Sequence, residues 1–367
     1  MLVPMGVQWI GRYGIGYKMD EKTHDPVVNN NFRMSCHKST PAASYASRNF
    51  FSYVTHGFQI WVTKSFNVQN NTSQQYSKCA CGEEETRTNN NAIQRFAGNN
   101  RFETAAEISK NSFKTSDTAV LAYGLNYADV LAGVPLASKL GAPILLTHTD
   151  KLPDETLKEI KRLGAKNIII LGGTGVISSN VESTLKKQGL KTQRLAGKTR
   201  FETATKIANM LNNKPAEIFF VYGLNYADAL SVGSVAAVRN APIIYLKTSG
   251  EIDAETAAYI KSVKGTVKKA YVIGGTGVIS DSMMQSAANM LGLKNNDTMI
   301  RVFGKNRYET CIAVNRQFAS DLNKYGICIA KGLDFPDALA GGVFAANNKV
   351  PLFLADNTLS DSQKKIS

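Results

Sequence analysis

Between Thr118 and Gly189 continuous apolar runs alternate with segments whose apolar residues recur at helical spacing: TAVLAYG, YADVLAGVPLASKLG, APILLT, PDETLKEIKRLG, NIIILGG and SNVESTLKKQG. Runs that are apolar throughout and rich in branched residues suit strands buried on both faces, which is the condition of a parallel sheet covered by helices. The pattern therefore predicts a layered α/β fold. Helix-end chemistry agrees with it. Pro153, Asp154 and Glu155 suit a first turn, Leu157, Ile160 and Leu163 form the buried stripe, and Gly164 ends the helix. Ser179 with Glu182 fits a capping box after the next strand.

The same pattern returns. RFAGNNRFETA at 95–105 recurs as RLAGKTRFETA at 194–204 and RVFGKNRYETC at 301–311. YGLNYADVLAG at 123–133 recurs as YGLNYADALSV at 222–232 and KGLDFPDALAG at 331–341. APILL at 142–146 recurs as APIIY and VPLFL, and IIILGGTGVIS at 168–178 as AYVIGGTGVIS. Arg101 and Arg200, Asp129 and Asp228, and Pro143 and Pro242 are each 99 positions apart, so the first two copies align here without insertion. A period of about one hundred residues is the size of a whole domain, not of a solenoid repeat. We place the copies at 92–193, 194–299 and 300–367. In copy one Gly172 lies 29 positions beyond Pro143, and that offset from Pro351 passes Ser367. The third copy is thus expected to lack its GGTG turn, leaving Leu352 and Leu354 partly uncovered beside an open sheet edge.

Residues 1–90 do not share this rhythm. They are aromatic and polar, with Trp9, Trp61, His24, His37 and His56; Phe50–Val62 reads as a helix with an aromatic face, and NNTSQQYSKCACGEEETRTNNN as a polar linker. The N-terminus shows no basic region leading into an apolar signal-peptide stretch.

Composition narrows the function classes. The chain has 367 residues, enough for two to four domains, and is 43% hydrophobic without a run of membrane-spanning length. Its 43 Lys and Arg against 29 Asp and Glu give a formal charge of +14, a field that attracts polyanions. The cations are spread along the chain rather than massed in a tract interleaved with aromatics, which argues against nucleic acid. Of five cysteines only Cys311 and Cys328 lie in the repeats, without counterparts, so disulfides are not the framework.

Few motifs carry chemistry. GGTG at 172–175 and 274–277 follows a strand and precedes a helix, but it lacks the full dinucleotide fingerprint and reads as a sharp turn; no cofactor is expected. No histidine recurs between copies, no HExxH, GxSxG or CxxC is present, and Cys36-His37 with Cys79 and Cys81 lacks zinc-site spacing, so neither catalytic residues nor a metal is assigned. The triplicated Arg101, Arg200 and Arg307 stand out. A cation at a helix start is mildly unfavourable unless it pairs, whereas Glu103, Glu202 and Glu309 beside it complement the dipole. Two partners suggest themselves: Asp129, Asp228 and Asp337, which follow the arginines by 28, 28 and 30 positions within each copy, or an anionic ligand gripped by the guanidinium fork. Asn126-Tyr127 and Asn225-Tyr226, replaced by Asp334-Phe335 in copy three, offer an amide beside a ring as sugar sites do, and equally suit capping and packing.

These four motifs, in this order and in tandem, resemble the cell wall-binding repeat 2 family of surface proteins of clostridia and related Gram-positive bacteria. The resemblance covers about residues 92–367. It implies three Rossmann-like or flavodoxin-like modules with parallel sheets packed as a pseudo-trimer, beside an irregular N-terminal region. It further implies non-covalent attachment to the peptidoglycan-associated wall through anionic, teichoic-type secondary polymers, and a location at the cell wall or surface. Its strand motif falls on Pro143–Leu146, Pro242–Tyr245 and Pro351–Leu354. On this reading the ligand-binding residues are Arg101, Arg200, Arg307, Asp129, Asp228, Asp337, Asn126 and Asn225. The alternative is a wall-targeted hydrolase, an amidase or peptidase, with its catalytic part in or upstream of residues 1–90.

Overall fold

The computed structural model describes residues 94–127, 130–294, 297–323 and 326–356 in full, and in the first 93 residues the backbone of six strands. Residues 1–95 and 96–367 are separate compact units. In the first, β1 (Val7–Ile10), β2 (Ile15–Met19) and β3 (Pro26–Val27) form one antiparallel sheet, and β4 (Val62–Asn67), β5 (Thr72–Lys78) and β6 (Glu84–Asn89) another. The helix expected from Phe50 lies outside the described residues except for Val62, which opens β4. The expected linker is corrected: β5 and β6 pair in unbroken register from Ser73 opposite Asn89 to Lys78 opposite Glu84. Strand pairing is made by the backbone, so a polar composition does not prevent it where Thr and Tyr favour the extended chain.

The second unit is built from the repeats. Its first module runs α1 (Arg101–Ser112), β7 (Thr118–Tyr123), α2 (Gly133–Lys139), β8 (Ile144–Thr147), α3 (Asp154–Leu163), β9 (Asn167–Leu171), α4 (Ser179–Lys187) and β10 (Lys191–Leu195). The second repeats this as α5 (Arg200–Leu211), β11 (Glu217–Tyr222), α6 (Ala227–Val238), β12 (Ile243–Leu246), α7 (Ala254–Ser262), β13 (Lys269–Ile273), α8 (Asp281–Leu291) and β14 (Met299–Val302). The third comprises α9 (Arg307–Gln317), β15 (Cys328–Lys331), α10 (Pro336–Asn348) and β16 (Leu352–Ala355). The sheets are parallel, in orders β10-β9-β7-β8, β12-β11-β13-β14 and β15-β16. In both complete sheets the chain reverses its winding between the first and third strands, the flavodoxin-like arrangement.

The cores explain how the modules join. One apolar cluster runs through all three and contains Leu136, Leu230 and Leu339 from α2, α6 and α10, which pack on one another at the centre. Small residues let these helices approach: a Cβ on Gly342 would lie 3.2 Å from a Val134 methyl. Each module's first helix then packs on its neighbour's central helix, α5 on α2, α9 on α6 and α1 on α10. The ring closes, because the first module docks on the last. Two smaller clusters, around Ile160 and Leu163 in module one and Tyr259 and Ile260 in module two, lie between each sheet and its outer helices.

The local signals at α3 are all present: Pro153 precedes it, Asp154 and Glu155 fill its first turn, and Gly164 closes it in the left-handed conformation at φ 70°. The capping box at Ser179 and Glu182 is corrected. Ser178 is the cap residue and makes no side-chain capping bond, while Glu182 is held by Lys186 at 3.0 Å, Arg194 at 2.8 Å and Thr192 at 3.0 Å. Two cations outcompete a backbone amide for that carboxylate.

The expectation for Leu352 and Leu354 is corrected as well. They are 0% and 1% exposed because they face the shared central core. Ile327 and Ile329 are exposed instead, at 60% and 53%, the second on β15 and the first just before it. Their counterparts Ala119, Leu121, Ile218 and Phe220 are buried against the outer helices. Among the described residues β15 pairs with β16 alone.

Candidate functional site

The recurrent RxxGxxRxET motif resolves into a helix start and one surplus group. Asn100, Thr199 and Asn306 cap α1, α5 and α9 by accepting first-turn amides. Glu103, Glu202 and Glu309 reach back to accept from the amides of Asn99, Lys198 and Lys305 at 2.7, 2.7 and 3.0 Å. The glycine amides donate to Thr104, Thr203 and Thr310. A Cβ on Gly98 or Gly197 would fall 2.2 Å from the glutamate Cβ, so only glycine fits there. The motif's first arginine does separate work: Arg194 and Arg301 sit on β10 and β14 and donate to the carbonyls of Gly172 and Gly274, tying down the GGTG turn of the module they complete. Arg101, Arg200 and Arg307 are not needed for any of this.

Each of these arginines donates to the carbonyl of the glycine after its module's first strand: Arg101 to Gly124 at 2.7 Å, Arg200 to Gly223 at 3.1 Å and Arg307 to Gly332 at 2.8 Å. Each also lies over an aromatic ring of the adjoining module. Arg200 is 5.7 Å from the Tyr127 ring, Arg307 5.3 Å from Tyr226 and Arg101 5.9 Å from Phe335. Arg307 further donates to the Tyr226 hydroxyl at 3.0 Å, and Tyr127 donates to the Leu224 carbonyl at 2.7 Å. The three rings meet one another, with centroids 5.3, 6.1 and 6.3 Å apart. A cation over an aromatic ring is attracted by the ring's negative face, and a guanidinium has five N–H donors, more than these contacts use.

The Arg–Asp pairing within a module is corrected. Among the described residues no ion pair joins Arg200 to Asp228 or Arg307 to Asp337; the Asp129 side chain lies outside them. Asp228 and Asp337 instead feel the arginine of the next module around the ring. Burial pushes Asp228 up to about 6, and Arg307 partly opposes that rise. Asp337 is likewise raised by burial and by Asp334, against the pull of Arg101. The ring brings the start of one module's first helix onto its neighbour's strand-end loop, a long-range consequence that sequence spacing could not reveal.

Asp228 lies in the first turn of α6, against the GGTG turn: a Cβ on Gly274, which has φ 116°, would be 2.7 Å from its carboxylate oxygen. This is the carboxyl end of β11 and β13, where the sheet reverses its winding, the usual ligand crevice of such folds. Asn126 and Asn225 sit exposed on the crevice lip, Asn225 accepting from the Ala227 amide at 3.3 Å. Beside them Leu125, Leu224 and Leu333 are each about half exposed. Tyr127, Tyr226 and Phe335 are the participants the sequence reading left as packing or caps; their repetition beside the arginine motif was the available signal.

Two shallow grooves lie elsewhere, between α1 and α3 and between α5 and α7. The first mixes Glu103, Glu107 and Glu155 with Lys110, Lys158 and Arg162, and its buried Glu159 is already engaged by Arg162 and Ser109. Such balanced charge does not select a polyanion. Among the described residues no His, Cys, Asp or Glu group suits a metal, and no helix is long and apolar enough to cross a membrane. Cys36, His37, Cys79 and Cys81 lie outside those residues.

Three tandem α/β modules, closed into a ring and presenting the same cation at each seam, define a modular binding protein. Residues 95–182, 194–284 and 301–367 match the Cell wall binding domain 2 (CWB2) family, and the chain belongs to it. It is 36% identical over 278 residues to the N-acetylmuramoyl-L-alanine amidase LytC of Bacillus subtilis, covering 75% of this chain and 53% of the amidase. It is 30% identical over 274 residues to the amidase enhancer of the same organism, covering 74% of this chain and 36% of the enhancer. The chain thus spans about half or less of these relatives. Among solved structures, Cwp6 from Clostridium difficile matches with a TM-score of 0.69 and 26% identity over 81% of this chain and 52% of that one. Cwp8 from the same organism matches at 0.66 and 28%, over 84% and 58%. These comparisons establish the α/β fold and a cell wall binding module of Gram-positive type.

Proposed function

We propose that the ring anchors this chain non-covalently to the Gram-positive wall by binding an anionic secondary polymer across its module seams. One observation carries the reading: Arg101, Arg200 and Arg307 recur at the seams, each over a neighbouring module's ring, in a chain of formal charge +14. A guanidinium presents paired donors to a phosphate or carboxylate. Asp228 and Asp337, with Asn126 and Asn225, supply acceptors and amides for sugar hydroxyls beside it, Asp129 is the equivalent residue by sequence, and the exposed leucines supply apolar surface for sugar faces. Repetition supports a polymer, since each seam meets an equivalent unit and the contacts reinforce one another through effective concentration.

The test is sedimentation with purified walls. We expect binding that weakens steeply between low and physiological salt, where screening falls to about 8 Å, and that disappears when secondary polymers are stripped from the walls. Salt-independent binding to stripped walls would refute the reading. A wall hydrolase finds support in the amidase relative, whereas an enhancer that matches almost the same share of this chain favours a shared binding part. Zymography on peptidoglycan is expected to show no clearing band from this chain.

A further inference from the structure

The three seams are related by repetition but differ in charge. In modules one and two the crevice lip carries a neutral amide, Asn126 or Asn225, beside Tyr127 or Tyr226. In module three the equivalent residue is Asp334, beside Phe335. Asp334 lies 3.5 Å from an Arg101 terminal nitrogen, an ion pair that joins the third module to the first. Among the described residues no carboxylate lies within ion-pair distance of Arg200 or Arg307. The aspartate at 129, 228 and 337 is common to all three copies, so the contrast rests on the lip position alone.

We propose that Asp334 is a specificity-determining residue that occupies the Arg101 seam from within the chain, leaving the Arg200 and Arg307 seams to receive the polymer's anionic groups. The inference rests on the polymer-binding reading above and narrows it from three receptive seams to two. The physical argument is competition. A guanidinium whose outward edge already faces a carboxylate can take a phosphodiester only by displacing it, and the displaced carboxylate then repels the incoming charge. Arg101 donates to Gly124 and lies over Phe335 as its counterparts contact Gly223, Gly332 and the two tyrosines, so Asp334 is the charged partner that sets its seam apart. Phe335 in place of tyrosine removes the hydroxyl that Arg307 contacts in the preceding seam. The third seam closes the ring, and the other two face the ligand.

Isosteric substitutions of opposite sign test this. Asp334→Asn frees Arg101, and Asn225→Asp places a carboxylate beside Arg307 while keeping an oxygen for the Ala227 amide. The probe is poly(glycerol phosphate), with dextran as the uncharged control, and binding is measured by calorimetry on the whole chain at two salt concentrations. We expect Asp334→Asn to bind about two- to fivefold tighter, with steeper salt dependence, and Asn225→Asp to bind weaker by a similar factor, the range of exposed ion pairs. Adding Arg101→Gln to Asp334→Asn should abolish the gain, which a purely structural role for Asp334 would not require. If the parent chain binds and Asp334→Asn binds equally or more weakly, the inference is overturned and the anchoring function stands. If Asp334→Asn does not fold, unchanged affinity in Asn225→Asp overturns it instead. If the parent chain does not bind the probe at all, both readings fall together.

Discussion

The first two modules and the third contain the same opening elements, helix, strand, helix and strand, yet their apolar residues meet different fates. Leu352 on β16 is as buried as its counterparts Ile144 and Ile243, whereas Ile327 and Ile329 are exposed where Leu121 and Phe220 are not. A strand sends alternate side chains to opposite faces, and here the two faces serve different purposes. The inward face, with α2, α6 and α10, builds a core shared by all three modules. The outward face is covered by α3 and α4, or α7 and α8, and serves its own module alone. The first half of a module is therefore what joins the ring.

The sharpest way to break this comparison is to truncate one side chain on each face of the third module. Leu352→Ala should cost about 2–5 kcal/mol in denaturant unfolding, as buried leucine truncations do. Ile329→Ala should cost no more than about 1 kcal/mol, because about half of the residue is already exposed to water. Equal losses at both positions would mean that the outer face is covered in solution.

The seam and the outer face also differ in the sign of their pH dependence. Asp228, at the seam, is raised from its ordinary 3.8 to about 6. Its neutral form is favoured on folding, so its contribution is intact below about pH 3.8 and lost as pH rises through 6. Asp228→Asn should therefore stabilise the chain at pH 7, by about 1–3 kcal/mol, and leave it unchanged near pH 3. Glu182, at the outer face, is lowered from 4.5 to about 2 by Lys186 and then Arg194. Its contribution is present above pH 4.5 and lost as pH falls toward 2. Glu182→Gln should destabilise at pH 7 by about 1–2 kcal/mol and converge with the parent in acid. Melting curves across pH for both variants check the two signs.

Much of the module was legible from the sequence, since strands buried on both faces and helix ends such as Pro153 and Gly164 are local signals. The repeated arginine was legible as well, as a charge without a local purpose. What it faces was not, because Tyr127 meets Arg200 only once the ring has formed, and nothing in the spacing of 28 residues between Arg200 and Asp228 tells whether they share a seam. Unrepeated contacts left no trace at all. Arg239 joins Glu217 to Asp321 and lies 4.9 Å from the Phe318 ring, bracing module two against module three with an ion-pair bridge that has no counterpart among the described residues. The burial of Leu352 was misjudged for a related reason: β16 packs on α9 and α10 of its own module and on α6 of its neighbour, within a core that forms only when the three modules meet.

Arg200 offers the most direct test of the claim that the seam arginines bind rather than brace. Arg200→Lys keeps the charge and can still reach the Gly223 carbonyl, but it loses the planar fork and its stacking on Tyr127. Wall sedimentation and thermal melting should be measured on the same preparation. The account predicts a melting change of no more than about 1 kcal/mol, the range of partly exposed polar contacts, together with a clear loss of wall affinity. A variant that is markedly destabilised yet, once folded, binds walls as the parent does would contradict it and return the arginines to a structural role.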